Sequence, residues 1–94
     1  MFILFVRHQH GRDRWLEMVD HADWNSLVRD AADYVMGEYS GGEVVGAVEV
    51  ETSTIVQDAK PRHDLWKAIR EEMRERPDFH RYAREIESRM NNYE

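Results

Sequence analysis

The 94-residue sequence contains no cysteine, only two prolines and no long hydrophobic run. Without cysteine the chain can form no disulfide, no thiolate nucleophile and no thiolate metal site. Its first apolar run, Phe2 to Val6, is shorter than the roughly 20 residues of a membrane span or the about 7 of a signal-peptide core. These absences predict a cytoplasmic protein that makes no membrane contact.

The sequence does contain enough apolar material for one packed core. Hydrophobic residues make up 41% of the chain, and they include three Trp, four Tyr and three Phe. A chain of this length suffices for one domain but not for two independent cores. We therefore expect a single domain that spans residues 1–94.

Negative charge is concentrated in the first part of the chain, within an overall net charge of −6. Residues 1–59 carry four arginines and eleven acidic residues, a net charge of −7, whereas residues 60–94 carry nine basic and eight acidic residues. An acidic surface repels a phosphate backbone, so direct nucleic-acid binding is not expected. The same charge favours a protein partner that has a basic surface.

The N-terminal residues are typical of a β-hairpin. Residues 2–9 are rich in aromatic and β-branched side chains, which favour a strand, and residues 10–13 include a glycine suited to a turn. Residues 14–19 then predict the return strand. Their alternation is imperfect, so a helix over 13–19 is the alternative interpretation.

A helix is predicted over about residues 23–39. Five apolar residues at helical spacing form one stripe along it: Trp24, Leu27, Val28, Ala31 and Val35. Asp23 precedes the stripe and is suited to cap the first turn, because its carboxylate can accept free backbone N–H groups there. Gly37 weakens the end of the helix, and residues 40–42 stop it.

Residues 43–56 are β-rich, and their alternation places Val44, Gly46, Val48 and Val50 on one side of a strand. A turn at 52–54 and a short strand at 55–57 would complete a second hairpin. Pro61 suits the first position of a second helix, because a proline there loses no helical hydrogen bond. Pro77 separates that helix from a third one.

Together these elements predict an α+β fold, with a small antiparallel sheet of two hairpins in the order β-β-α-β-β. The helix at 23–39 would cover one face of the sheet, and the two C-terminal helices would pack beside it or against a partner. The predicted core residues are Leu27, Val28, Val35, Val48, Val50, Trp66 and Ile69.

The pair Arg7-His8 at the end of the first strand resembles the phosphoglycerate mutase-like histidine phosphatases. In that family the His accepts a phosphoryl group and the Arg binds it. The family's glycine directly follows its His, whereas Gln9 and His10 come before Gly11 here. The resemblance covers about five of the 94 residues, and no catalytic residue is transferred on it.

His8 and His10 also suggest a metal site, because alternate residues of a strand point to the same side. Asp13 or His21 could add a third ligand, but the spacing fixes none. An ordinary polar hairpin end is the more economical interpretation. A metal- or small-molecule-binding domain, or a small hydrolase, centred on Arg7, His8 and His10 is therefore kept as the alternative function.

Other catalytic patterns are not found in the sequence. Asp23, Asp30 and Asp33 would lie on the solvent side of their helix, whereas an acid/base pair needs a cleft that separates the two pKa values. The sequence also has no phosphate-binding glycine loop and no serine nucleophile motif. We therefore expect a protein that is not an enzyme and that needs no cofactor.

The leading hypothesis is a protein-binding module, an inhibitor that occupies the nucleic-acid-binding site of another protein. Small acidic proteins of phages and mobile elements, anti-CRISPR proteins among them, fit this size and charge class. Trp15 is added to the acidic candidates as an exposed aromatic anchor. The candidate partner-binding residues are Asp20, Asp23, Asp30, Asp33, Glu49, Glu51 and Trp15.

Self-association is a further hypothesis, in which the protein is a structural module that forms a homodimer through residues 61–90. Two apolar stripes in this region need something to pack on. A helical hairpin at Pro77 would bury them within one chain, whereas a kink there would leave them for a second copy. The stripes are Leu65, Trp66, Ile69 and Met73, and Phe79, Tyr82, Ala83, Ile86 and Met90.

Overall fold

A computed structural model of the chain describes residues 1–37, 42–51, 59–77, 79–81, 83–84 and 87–88. Its four strands are β1 (Phe2–His10), β2 (Asp13–His21), β3 (Gly42–Glu49) and β4 (Lys60–Pro61). Its two principal helices are α1 (Trp24–Val35) and α2 (Leu65–Arg74). The described residues of the segment 79–88 are also helical.

The strands form one antiparallel sheet in the order β2-β1-β3-β4, which confirms the predicted α+β class. Helices α1 and α2 lie against each other on the same face of this sheet. The molecule therefore has two layers, and one face of the sheet carries both helices.

The first hairpin is confirmed, and residues 13–19 are strand rather than helix. β1 and β2 pair without interruption from Phe2↔His21 to His10↔Asp13. Gly11 has a φ of +62°, which the first residue of a tight two-residue hairpin turn needs and which side chains disfavour. Sequence reasoning succeeded here because the turn residue and the strand composition point to the same structure.

Strand β3 contains a bulge that the predicted alternation missed. Val6 pairs with Val44, but the preceding Phe5 pairs with Gly46, so Val45 is an extra residue. The side chains that follow a bulge change face relative to a simple alternation. Val44 and Ala47 consequently face the core together, and the prediction that Val44 and Val48 share a face is wrong.

The cap of α1 is confirmed, because Asp23 accepts a hydrogen bond of 2.8 Å from the backbone N–H of Ser26. The helix ends at Val35, four residues before the predicted end. Its C-terminal cap is Met36, and Gly37 follows with a φ of +83°, a left-handed conformation that ends the helix.

The second helix begins later than predicted. Pro61 lies in β4, opposite Val48, and α2 starts only at Leu65. A proline is tolerated in an edge strand because its missing N–H need not join the ladder. The predicted turn at 52–54 and strand at 55–57 lie outside the described residues. Pro77 follows the end of α2 at Arg74, as predicted.

One core joins β1, β3 and both helices, and five of the seven predicted core residues are buried in the structure. Val48 and Trp66 are only partly buried. The bulge in β3 accounts for Val48, since it turns that side chain away from the helices. The largest fully buried side chains are Leu4, Leu27, Leu65, Ile69, Met73, Val6 and Val44.

Candidate functional site

Three of the acidic candidates stabilise the chain's own fold. Asp23 caps α1, Asp30 Oδ2 lies 3.0 Å from Nε2 of His21, and Asp33 forms an ion pair with Arg76. The side chains of Asp30 and Asp33 are only 21% and 31% exposed. The expectation that they lie on a free solvent face is therefore wrong, because neighbouring elements approach α1 from both sides.

Asp20, Glu49 and Glu51 remain exposed, and all three lie at the same end of the sheet. Asp20 pairs with Ile3 and Glu49 with Phe2, the first residues of β1. Because Ile3 and Phe2 are consecutive in a strand, Asp20 and Glu49 lie on opposite faces. These carboxylates surround one end of the sheet and do not form a single flat surface.

A groove between α1 and α2 brings three carboxylates together on the helical side of the sheet. It has a volume of about 300 Å³ and is lined by Trp24, Asn25, Val28, Ala68, Glu71, Glu72 and Glu75. Glu72 forms an ion pair with Arg76, with 3.4 Å between Oε1 and Nη2. Within the described part of the chain, Glu71 and Glu75 form no ion pair, so their charges face the groove and solvent.

The aromatic side of the groove is held in place by Arg62. Its guanidinium carbon lies 3.8 Å from the centre of the Trp24 ring and 5.5 Å from that of Phe2. Arg62 also binds Asp64 through two hydrogen bonds of 2.9 and 2.7 Å. That interaction lowers the pKa of Asp64 and raises the pKa of Arg62. Trp24 is thus fixed by the Arg62 cation and by the ring of Phe2, whose centre is 5.4 Å away, and it lines the acidic groove.

Sequence reasoning missed Glu71 and Glu75 as site residues, because charged residues of an amphipathic helix usually lie on a solvated face. Their spacing of four and the small Ala68 one turn earlier were the available signals. Only the packing of α1 against α2 places Trp24 and Asn25 opposite these carboxylates.

Arg7 and His8 point to opposite faces of the sheet. The Arg7 guanidinium binds one oxygen of Glu43 through Nε at 3.2 Å and Nη2 at 2.7 Å, on the sheet face opposite α1 and α2. His8 instead lies on the helical face. The two side chains therefore do not converge on one ligand in the manner of a phosphoryl-transfer site.

His8 belongs to a cluster of aromatic and acidic side chains at the end of α1. Its ring stacks on Trp15 with centroids 5.3 Å apart, and Nε2 lies 3.1 Å from Oε1 of Glu17. The same Glu17 oxygen accepts a hydrogen bond of 3.2 Å from the Tyr34 hydroxyl. Trp15 is thus exposed, as expected, and is oriented by His8.

The metal hypothesis gains no further ligand from this geometry. Among the residues that the structure describes, no three His, Asp or Glu side chains are grouped to hold a metal ion. His21, one of the proposed third ligands, binds Ser26 Oγ at 3.1 Å and Asp30. A depression of about 390 Å³ lies at the other end of the sheet, near the turn of the first hairpin. It is lined by Arg7, His8, Gln9, Arg14 and Glu43.

Comparisons with known proteins identify no relative. A scan against protein-family models gives no match, and searches of curated proteins and of solved structures give none either. In the described part of the chain, no helix is long and apolar enough to cross a membrane.

Proposed function

We propose that this protein is a non-enzymatic, cytoplasmic protein-binding module whose acidic surface occupies a basic site on another protein. The observation that supports this most strongly is the groove between α1 and α2, where Glu71, Glu72 and Glu75 face Trp24. The three carboxylates and the aromatic ring are held by two helices that share one core, so the groove exists before any partner binds.

The chemistry of the groove suits an arginine or lysine side chain of the partner. A carboxylate accepts charge-assisted hydrogen bonds from a guanidinium, and an aromatic ring attracts a cation that lies over its face. The chain's own Arg62 already occupies one face of Trp24 in this way, so the carboxylates are the principal contacts that the groove offers to a partner's cation. Glu71 and Glu75 are one helical turn apart, a spacing at which both can contact one basic segment.

The partner class follows from the overall charge. A net charge of −6 accelerates association with a basic surface and disfavours association with a phosphate backbone. Basic grooves on proteins commonly bind nucleic acids, whose phosphates carboxylates can replace. We therefore propose an inhibitor that blocks a nucleic-acid-binding site, in the functional class of the anti-CRISPR proteins. Glu49, which lies on the helical face, and Glu51 would extend the acidic surface beyond the groove.

The homodimer through residues 61–90 stays a prediction, but most of the first apolar stripe is buried within the chain itself. Leu65, Ile69 and Met73 are buried against the core of the same chain. Phe79 also packs against that core. Tyr82, Ile86 and Met90 of the second stripe lie outside the described residues.

The proposal is tested by affinity capture from a host lysate with three immobilised forms of the protein. These are the wild type, Glu71→Gln with Glu75→Gln, and Glu49→Gln with Glu51→Gln; both variants lose two negative charges. We expect the groove variant to retain a captured partner about 10-fold less well, and the second variant to lose less, because contact with the groove adds to long-range attraction.

Salt dependence supplies the control for this capture experiment. Retention of the partner should fall as the salt concentration rises, since exposed charges are screened beyond about 10 Å at 0.1 M salt. Retention that does not change with salt, or that is equal for wild type and both variants, would contradict a charge-based mode of binding.

A further inference from the structure

Strand β2 is an edge of the sheet and has a complete, regular backbone ladder. It is nine residues long, pairs with β1 on one side only and contains no bulge. Proteins usually protect such edges with proline, bulges, lysine or a covering segment, because the free N–H and C=O groups can pair with another strand. β2 contains neither proline nor lysine, and seven of its nine residues are exposed.

The side chains of β2 are unusually apolar for a free edge. Trp15, Leu16 and Met18 are 49%, 55% and 63% exposed, and they account for three of the five large hydrophobic residues exposed in the described chain. Leu16 and Met18 lie opposite Arg7 and Phe5 of β1, on the sheet face opposite α1 and α2. Contiguous exposed apolar side chains of this kind commonly mark an interaction surface.

The sequence of β2 is complementary to itself when it is reversed about Glu17. In that antiparallel arrangement Arg14 lies opposite Asp20, Leu16 opposite Met18, and Trp15 opposite Val19. Each of these pairs occurs twice, once on either side of the centre. A two-fold symmetric interface requires such self-complementarity, because every contact must be repeated by the second copy.

We propose that two copies of this chain pair through β2, antiparallel and centred on Glu17, to form one continuous sheet of eight strands. The backbone ladder supplies the affinity, and the cross-strand pairs of Arg14 with Asp20 and Leu16 with Met18 set the register. Within the described residues neither Arg14 nor Asp20 has an ion-pair partner in its own chain, so both are available to the second copy.

Other registers of the same two strands are less favourable. A shift by two residues in one direction places Leu16 opposite Asp20, and a shift in the other places Met18 opposite Arg14. Either shift removes both charge pairs and sets an apolar side chain against a charged one. The register centred on Glu17 is also the one in which all nine residues of β2 are paired.

Glu17 itself is the unfavourable element of this interface. Its two copies lie directly opposite each other, and like charges in that position weaken a strand pair. The contacts of Glu17 with His8 and Tyr34 disperse part of its charge. The interface should therefore be weakened by Glu17 and strengthened when its charge is removed.

This dimer does not depend on the proposed function. The groove of Glu71, Glu72 and Glu75 lies between the helices, and pairing at the edge of the sheet leaves it accessible. Loss of partner capture in the groove variant and loss of dimerisation in a β2 variant are thus separate results.

Because the chain has no natural cysteine, a single introduced cysteine can report on the pairing of β2 by forming a disulfide. In Glu17→Cys the two thiols would lie at the centre of the interface, with Cα atoms about 4.5–5.5 Å apart, within the roughly 4.4–6.8 Å that a disulfide needs. In the control Asp13→Cys, which changes neither of the two pairs that set the register, the two thiols would be separated by eight residues of strand, about 26 Å. Mild oxidation of the full chain is followed by non-reducing electrophoresis, with thermal unfolding as the check that each variant folds.

We expect Glu17→Cys to form a covalent species of twice the 11.3 kDa chain mass, and Asp13→Cys to stay largely monomeric. Equal cross-linking of both variants, or none in Glu17→Cys, would overturn the proposal. Two stacked sheets would lie about 10 Å apart, too far for the Glu17→Cys disulfide, so that arrangement also gives the contradicting result.

Charge reversal tests the register by sedimentation equilibrium. Arg14→Asp alone and Asp20→Arg alone should each weaken dimerisation roughly 10-fold, because each places like charges opposite one another at both ends. The double variant should recover most of the wild-type affinity, and Glu17→Gln should exceed it. If the double variant dimerises no better than the single ones, or if β2 pairs only with a strand of a different protein, the proposal is wrong.

Discussion

His21 of β2 lies against Asp30 of α1, with 3.0 Å between the imidazole Nε2 and the carboxylate Oδ2. The other ring nitrogen of His21 contacts Ser26 of the same helix at 3.1 Å. One residue of the strand thus binds two successive turns of the helix, and it positions α1 on the sheet. This aspartate, one of the candidate partner-binding residues, thus also stabilises the fold.

Removal of this contact should destabilise the protein. Asp30→Ala should lower the free energy of unfolding by about 1 kcal/mol, because the His21 ring then loses its charged partner in a partly buried position. Glu71→Ala, an exposed helical site, should change it by less than about 0.5 kcal/mol. Urea unfolding of both variants, and of His21→Ala with and without Asp30→Ala, measures the coupling. Strict additivity of the His21 and Asp30 effects would contradict the contact.

Gly42 should not tolerate a side chain, whereas Gly46 of the same strand should. A Cβ atom on Gly42 would lie 2.6 and 2.7 Å from two carbons of the Tyr34 ring, but one on Gly46 would meet nothing within 4 Å. Gly42→Ala should therefore displace Tyr34 from Glu17 and cost about 1–3 kcal/mol. Thermal unfolding of Gly42→Ala and Gly46→Ala checks this, and equal losses at both positions would show that Tyr34 moves freely.

Val48 of β3 and Ile69 of α2 are both predicted core residues, but the bulge in β3 means that their truncation should destabilise the protein to different extents. Ile69 is fully buried, so Ile69→Ala should cost roughly 2–5 kcal/mol. Val48 faces away from the helices, so Val48→Ala should cost less than about 1 kcal/mol. Denaturant titration distinguishes the two, and a loss at Val48 as large as that at Ile69 would contradict the register of β3.

The Arg62–Asp64 interaction should appear in the pH dependence of stability. Arg62 lowers the pKa of Asp64 from its ordinary value of 3.8, so the ionised carboxylate stabilises the folded state. That contribution is complete above the ordinary pKa and is lost as the pH falls through the lowered one. Asp64→Asn should thus be slightly less stable than wild type at neutral pH. This difference in the free energy of unfolding should disappear at acidic pH. A gap that is independent of pH would contradict this.

The hairpin of β1 and β2, the position of α1 and its Asp23 cap were predictable, because each depends on residues close in sequence. Apolar periodicity, turn chemistry and a capping side chain act over one or two turns of chain. The α+β class followed from the order of these elements. Pro61 was misassigned because proline suits both a helix start and an edge strand, and only the pairing with Val48 decides between them.

The candidate site was less predictable, because its geometry depends on contacts between distant residues. Arg76 forms an ion pair with Asp33, which lies 43 positions away in sequence, and no local pattern indicates that this aspartate has such a partner. The acidic groove likewise exists only once α2 packs beside α1. The bulge at Val45 shows the same limit within one strand, since the partner strand reveals the extra residue.

The central claim is that a basic partner binds the groove between α1 and α2. Hydrogen exchange of the free protein and of its complex with the captured partner tests this most directly, because bound segments exchange more slowly. The account predicts protection in residues 24–28 and 68–75, with little change in β2. Protection confined to the strands, with both helix segments unchanged, would contradict it.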